Sequence, residues 1–204
     1  AAQAEHADDG HLIEFKTLAV RSVLNRTTSK RGLRFAYSIN PYRGCEFGCR
    51  YCYARYTHEF MELRDPLAFE RIIFLKQNAA WLLEQERRRI DRADQIARGT
   101  STDPYQPRER RAGITRSLLE VVSRKCGYRL GIVTKSTLIE RDLDLLTEIA
   151  KRNALVVHIT ITTPDAALAR MLEPRAPRPD LRFLTVKHLR EAGLRTGILC
   201  CPLL

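Results

Sequence analysis

From residue 33 onward the chain repeats one order, strand then loop then helix, which is the signature of a parallel sheet joined by crossover helices. Strand-like runs lie at residues 33–39, 95–99, 130–134, 155–162 and 196–201, with apolar positions at helical spacing between them. Ala79, Leu82, Leu83 and Ile90 mark one helix. Ile114, Leu118, Val121 and Val122 mark a second, and Ile139, Leu143, Leu146 and Ala150 a third. Thr163-Pro164 reads as an N-cap followed by proline in the first helical position, opening a helix that runs to about Leu172. Leu181, Leu184, His188, Leu189 and Ala192 give the last helix, with Gly193 fitting its C-cap. Near-continuous apolar runs such as Ile132-Val133 and Leu155-Val156-Val157 suit strands buried on both faces. Parallel barrels place their active sites at the C-terminal ends of the strands, so the loops after these runs should converge on one rim.

One of those loops concentrates the thiols. Cys45, Cys49 and Cys52 follow the spacing C-x3-C-x2-C, with Tyr51 immediately before the third cysteine. Three thiolates so spaced hold three corners of a cubic iron–sulfur cluster and leave the fourth iron without a protein ligand. A cluster that only transfers electrons usually takes four cysteines, so an open iron points to chemistry. The same thiols with a fourth ligand such as His58 would instead suit zinc. His58 and His158 otherwise read as structural, and Cys126, Cys200 and Cys201 as buried thiols. Clustered rather than paired cysteines argue against a disulfide framework and for a reducing, cytoplasmic setting.

The formal net charge of +11 is carried mostly by arginine. It favours polyanionic partners, nucleic acid first, although solvated helix faces account for such a charge equally well. No apolar run approaches the ~18 residues needed to span a bilayer, so no membrane partner is expected. Residues 1–10 are small and polar, read as a disordered tail without signal-peptide features. Residues 11–32 form an N-terminal extension, with a strand in 11–20 and a basic loop at 25–32, and residues 33–204 the core domain. The last residues, Cys200-Cys201-Pro202-Leu203-Leu204, lie within an apolar run, from which a fragment with an incomplete C-terminal part is expected.

Four blocks occur in order: Asn40-Pro41-Tyr42-Arg43-Gly44-Cys45, Thr102-Asp103-Pro104-Tyr105-Gln106-Pro107, Val133-Thr134-Lys135-Ser136 and Leu172-Glu173-Pro174-Arg175-Ala176-Pro177. With the cysteine motif they resemble the spore photoproduct lyase-like branch of the radical S-adenosylmethionine (SAM) enzymes, also described as DNA repair photolyase-like. The resemblance implies an α/β fold, a partial (β/α)6 TIM-like barrel truncated at its C-terminus. It also implies a [4Fe-4S] cluster on Cys45, Cys49 and Cys52, and bound SAM. Reductive cleavage of SAM would give a 5′-deoxyadenosyl radical that abstracts hydrogen from a nucleic-acid substrate, with a flavodoxin or ferredoxin as electron donor. Tyr51 would line the cluster and adenine region, and the loop at Thr102 and Asp103 the SAM amino group. Lys135 and Arg175 would take the carboxylate, and Thr160 the ribose. Bland roles stand beside these: Asp103 before Pro104 is also an ordinary turn residue, and Arg175 can complement a helix dipole. The chain departs from the family in one respect, having no cysteine between Cys52 and Cys126 to serve as the hydrogen donor of true spore photoproduct lyases. Modification of tRNA or a peptide by the same cofactor chemistry is therefore an alternative. A non-catalytic, zinc-bearing nucleic-acid-binding module is another.

Overall fold

The computed structural model describes residues 3–6, 10–27, 35–91 and 94–203. Its principal sheet has six strands in the order β10 (Thr196–Leu199), β9 (Ala154–Thr160), β8 (Arg129–Thr134), β7 (Gln95–Arg98), β4 (Tyr37–Ile39) and β3 (Leu24–Arg26). From β4 to β10 every pairing is parallel, and β3 closes the edge antiparallel to β4. These five parallel strands and their crossover helices form a partial (β/α) barrel. The principal helices are α2 (Ala79–Glu86), α4 (Ile114–Ser123), α5 (Leu143–Arg152) and α7 (Pro179–Glu191). Shorter ones are α1 (Ala68–Arg71), α3 (Glu109–Ala112) and α6 (Ala166–Leu172).

The parallel strands are covered on one side only. β8 and β9 alternate, with Leu130, Ile132, Leu155, Val157 and Ile159 buried and Gly131, Val133, Val156 and His158 half-buried. The buried set packs in one core with Leu118 and Leu119 of α4, Leu146 and Ile149 of α5, and Leu189 of α7. Each such side chain contributes about 1.5–3 kcal/mol when fully buried. The other face looks into the barrel, so the expectation of strands buried on both faces is corrected. A partial barrel keeps one face open to whatever it encloses.

A second sheet, in the order β1 (Gln3–His6), β2 (Leu12–Thr17), β6 (Ile72–Leu75) and β5 (Tyr42–Arg43), lies on the chain's path into the cysteine loop. The chain leaves β4 at Asn40-Pro41 and pairs β5 with β6, placing the loop that follows between the two sheets. β1 puts residues 3–6 of the expected tail in a strand. Backbone pairing with β2 and ion pairs from Glu5 to Arg108 and Arg111 order it without any apolar pattern of its own. β3 likewise occupies part of the expected basic loop at 25–32, of which residues 28–32 lie outside the described residues, as do residues 33 and 34 of the expected strand.

Two helix starts also differ. The cap of α6 is Asp165, not Thr163: its carboxylate accepts the N–H groups of Ala167 (2.7 Å) and Leu168 (3.0 Å). A carboxylate satisfying two orphan donors outcompetes the Thr163 hydroxyl, which accepts the Asp165 N–H instead. The stretch with apolar positions from Ile139 begins as a 3-10 segment, Thr137–Asp142, and becomes α-helical only in α5. Residues 53–61 are 3-10 as well. α7 ends as expected, with Gly193 at φ +82° and the Leu194 N–H bonded to the Leu189 carbonyl. Among the described residues no helix is long and apolar enough to cross a membrane.

Candidate active site

The cysteine loop is built by glycine geometry and by the strand-end loops around it. Gly44 has φ +88°, and a Cβ there would lie 2.8 Å from the carbonyl oxygens of both Ile72 and Phe69. Gly48 has φ +63°, and a Cβ there would collide with the Arg175 guanidinium and the Glu70 carboxylate. Glycine is required at both positions. The loop after β7 grips this segment: the Thr102 hydroxyl donates to the Gly44 carbonyl (2.7 Å), and Gln106 accepts the Glu46 N–H (2.9 Å). Glu46 in turn accepts the Arg108 N–H at 2.6 Å.

Cys45 and Cys49 are buried and pack with Phe47, Ala54, Phe69 and Ala176, with Tyr51 and Cys52 alongside. Burial pushes the Cys45 thiol up, opposed by backbone hydrogen bonds from Asp103 and Phe47. Cys49 is pushed up to about 11 by burial, with the Lys135 charge acting against it. N–H donors to sulfur and a cation beside it are the surroundings that stabilise thiolates bound to iron. Among the described residues no three His, Cys, Asp or Glu side chains converge as a single metal ion requires. His58 does not serve as a fourth ligand to these thiols: its Nε2 bonds to the Ile72 carbonyl (2.9 Å) and its ring packs on Phe69 and Phe74. The donor set is three soft thiolates on one loop, which fits a cluster with an open iron better than zinc.

The remaining residues fall into two groups. Lys135, at the end of β8, lies with its ammonium 5.6 Å from the Tyr51 ring centroid and 3.9 Å from Glu173. The Tyr51 hydroxyl donates to Glu173, and burial followed by that carboxylate raises the phenol above its usual range. Thr160 ends β9 on its half-open face, its carbonyl accepting from Arg182 at 3.1 Å. Tyr51, Lys135 and Thr160 thus belong to the strand-end rim.

Asp103 stands behind them. Its carboxylate accepts the Thr134 hydroxyl (2.6 Å), the Lys135 N–H (2.7 Å) and the Tyr105 N–H (2.9 Å), and burial raises its pKa. It orients Lys135 through the backbone. Thr102 and Arg175 do other work than expected. Thr102 braces Gly44, and Arg175 binds Glu70 and the Glu46 carbonyl, clamping the cysteine loop to α1. A guanidinium held by a carboxylate and a carbonyl braces the loop.

Glu173 is the residue the sequence reading missed. Its side chain has no exposed surface, and it gathers Tyr51, Thr162, Lys135 and Arg182. The signal was available, since an acidic residue between an apolar helix and Pro174 has no reason to be buried unless paired. The outlying cysteines are also corrected. Cys126, Cys200 and Cys201 are exposed, the first in the turn after α4 and the others just past β10. Cys201 is near enough to add to the rise in the Tyr53 phenol pKa, which burial causes first and Cys52 second.

Residues 39–203 match the model of the Radical SAM superfamily. An uncharacterized protein of Mycobacterium tuberculosis, Rv2578c, is 35% identical over 193 residues, covering 94% of this chain and 56% of that protein. An uncharacterized protein of Methanocaldococcus jannaschii, MJ0683, is 28% identical over 168 residues, covering 82% of this chain and 60% of that protein. The chain therefore spans about half the length of the curated relatives it matches. Among solved structures, spore photoproduct lyase complexed with dinucleoside spore photoproduct aligns with a TM-score of 0.67 at 19% identity, over 92% of this chain and 51% of that one. SuiB of Streptococcus suis, bound to S-adenosylmethionine, aligns at 0.54 and 19%, over 79% and 31%. At such identities the likeness shows a shared fold.

Proposed function

The chain belongs to the radical SAM superfamily, and from that premise we propose that it is a spore photoproduct lyase-like enzyme acting on nucleic acid. The family's cofactors are a [4Fe-4S] cluster and SAM, which when bound and reduced supply a 5′-deoxyadenosyl radical for hydrogen abstraction. Cys45, Cys49 and Cys52 would hold three irons. Lys135, fixed by Asp103 behind it and balanced by Glu173, would receive the SAM carboxylate as a point charge. Tyr51 would wall the cluster and adenine side, and Thr160 would meet the ribose. The half-open inner face of β8 and β9 gives the substrate a place from which water can be excluded.

The observation that carries this reading is the cysteine loop at the C-terminal ends of five parallel strands, with the Lys135–Glu173–Tyr51 array beside Cys49. Anaerobically reconstituted protein should release 5′-deoxyadenosine from SAM with dithionite, and Cys49→Ala should abolish that release. Unchanged cleavage in Cys49→Ala would sink the reading.

Nucleic acid as substrate is supported by the net charge of +11 and by the fold shared with spore photoproduct lyase. Modification of tRNA or a peptide is the second reading, favoured by the absence of any cysteine between Cys52 and Cys126. An electron donor of the flavodoxin or ferredoxin class and a cytoplasmic location complete the proposal.

A further inference from the structure

The end of the barrel remote from the thiols carries its own concentration of charge. A cleft of about 530 Å3 opens there between the end of α2, the turn after α4 and the end of α5. Arg87, Arg124, Lys125 and Arg152 line it, and among the described residues no carboxylate does. Tyr128, also in the lining, directly precedes β8, whereas Lys135 directly follows it. The six residues of that strand put the cleft about 20 Å from the Lys135 rim. Helix dipoles account for part of the charge. Arg87 and Arg124 are the C-caps of α2 and α4, and Arg152 is the last residue of α5, so three helix C-termini meet here. Each end supplies about half a negative charge, less in total than four cations carry. Glu84 pairs with Arg87 at 2.8 Å and Glu148 with Arg152 at 3.6 Å, both from outside the lining. Among the described residues the Arg124 and Lys125 side chains make no ion pair, and Arg88, Arg89 and Arg129 beside the cleft are exposed.

We propose that this cleft is a second, non-catalytic nucleic-acid contact, which holds backbone phosphates outside the segment placed at the rim. The inference rests on the nucleic-acid reading above and adds a site to it. The make-up of the lining selects a phosphate backbone over an acidic protein. A protein partner needs an apolar centre to its interface. None of the exposed large apolar side chains lines this cleft, and its Ile90 is buried. A phosphodiester backbone needs only the cations, and guanidinium forks match phosphate oxygens two at a time. Such contacts add affinity and fix orientation without reading sequence or lesion. An anchor of this kind keeps the enzyme on a long polymer while one nucleotide is placed at the rim.

The test compares the reconstituted wild type with Arg124→Glu/Lys125→Glu. A control of equal charge, Arg110→Glu/Arg178→Glu, reverses exposed arginines in α3 and just before α7 instead. One probe is a duplex long enough to reach both ends of the barrel. The other has about six base pairs and covers about 20 Å. Affinity for the long duplex should fall at least tenfold in the variant and less than threefold in the control. The variant's log–log salt slope should also lose about two units, one per phosphate contact removed. Affinity for the short duplex, and release of 5′-deoxyadenosine from SAM with dithionite, should hold in both. Should the reversal perturb folding, as read by thermal melts, Arg124→Gln/Lys125→Gln should show the same trend at smaller size. Unchanged affinity of the variant for a long duplex that the wild type binds, or an equal loss in the control, overturns the proposal and leaves the nucleic-acid reading standing. Lost affinity for polyglutamate with duplex affinity intact gives the cleft to an acidic protein and overturns it too. A wild type that binds neither duplex nor tRNA overturns both.

Discussion

At the scale of single residues, Glu173 and Lys135 separate two kinds of contribution. Lys135 is mostly buried but makes one ion pair at 3.9 Å, whereas Glu173 is fully buried and serves two cations and two hydroxyls. Lys135→Met should weaken SAM binding to the reconstituted enzyme by about tenfold or more, the order of one charge-assisted contact. Its melting temperature should hardly change. Glu173→Gln should lower both, because it strands the Arg182 guanidinium in the interior. Calorimetry with SAM and thermal melts of both variants check the split. Equal losses in both would remove Lys135 from the binding role. Glu46 offers a pH test. Burial raises its pKa from 4.5 to about 7, so the folded protein holds that proton more tightly than the unfolded chain. Stability conferred by the protonated form is complete below about pH 4.5 and declines as pH rises through 7. Glu46→Gln should remove that decline, worth at most about 3 kcal/mol between pH 5 and 8, as read by melts of both proteins. These residues also show why the site was only partly legible. The thiols, Tyr51 and Lys135 stand in recognisable blocks. That Arg175 binds Glu70 and the Glu46 carbonyl while Glu173, two positions away, gathers Tyr51 and Lys135 depends on which way each side chain faces. Only the packing decides that.

At the scale of elements, the parallel strands were legible because each has an apolar run bounded by turn residues. β1, β3 and β5 were not, being two to four residues long and held by partners distant in sequence. Alternation on β8 and β9 was masked because the inner positions are small or apolar too, as Gly131, Val133 and Val156 show. α7 illustrates a link that no periodicity reveals. Arg182, 1% exposed, donates to the carbonyls of Pro177 (2.6 Å) and Thr160 (3.1 Å) and pairs with Glu173. One side chain thus ties α7 to the end of β9 and to the segment after α6. Arg182→Met should cost about 3–5 kcal/mol in urea unfolding, since Glu173 would be left short of its strongest partner. Adding Glu173→Gln to that variant should cost less than the sum of the two single changes, because removing both charges leaves neither stranded. Additive losses would show that the two side chains act separately.

At the scale of the whole molecule, charge and cofactor chemistry make different demands on the substrate question. A net charge of +11 draws the protein to any polyanion, so affinity alone cannot identify a substrate. If nucleic acid is the partner, duplex affinity should fall steeply with salt. A footprint neutralising about five phosphates gives a log–log slope near −4 to −5. Undamaged and ultraviolet-irradiated duplexes should bind with similar slopes, because backbone contacts carry no information about the lesion. Turnover is where they should part. Irradiated DNA should raise the yield of 5′-deoxyadenosine above that of undamaged DNA, tRNA and peptide pools, because only a productively placed substrate engages the radical. A salt-independent affinity would remove nucleic acid from consideration. A steep slope with the yield raised by tRNA alone would keep the charge argument and replace the lyase-like reading with base modification.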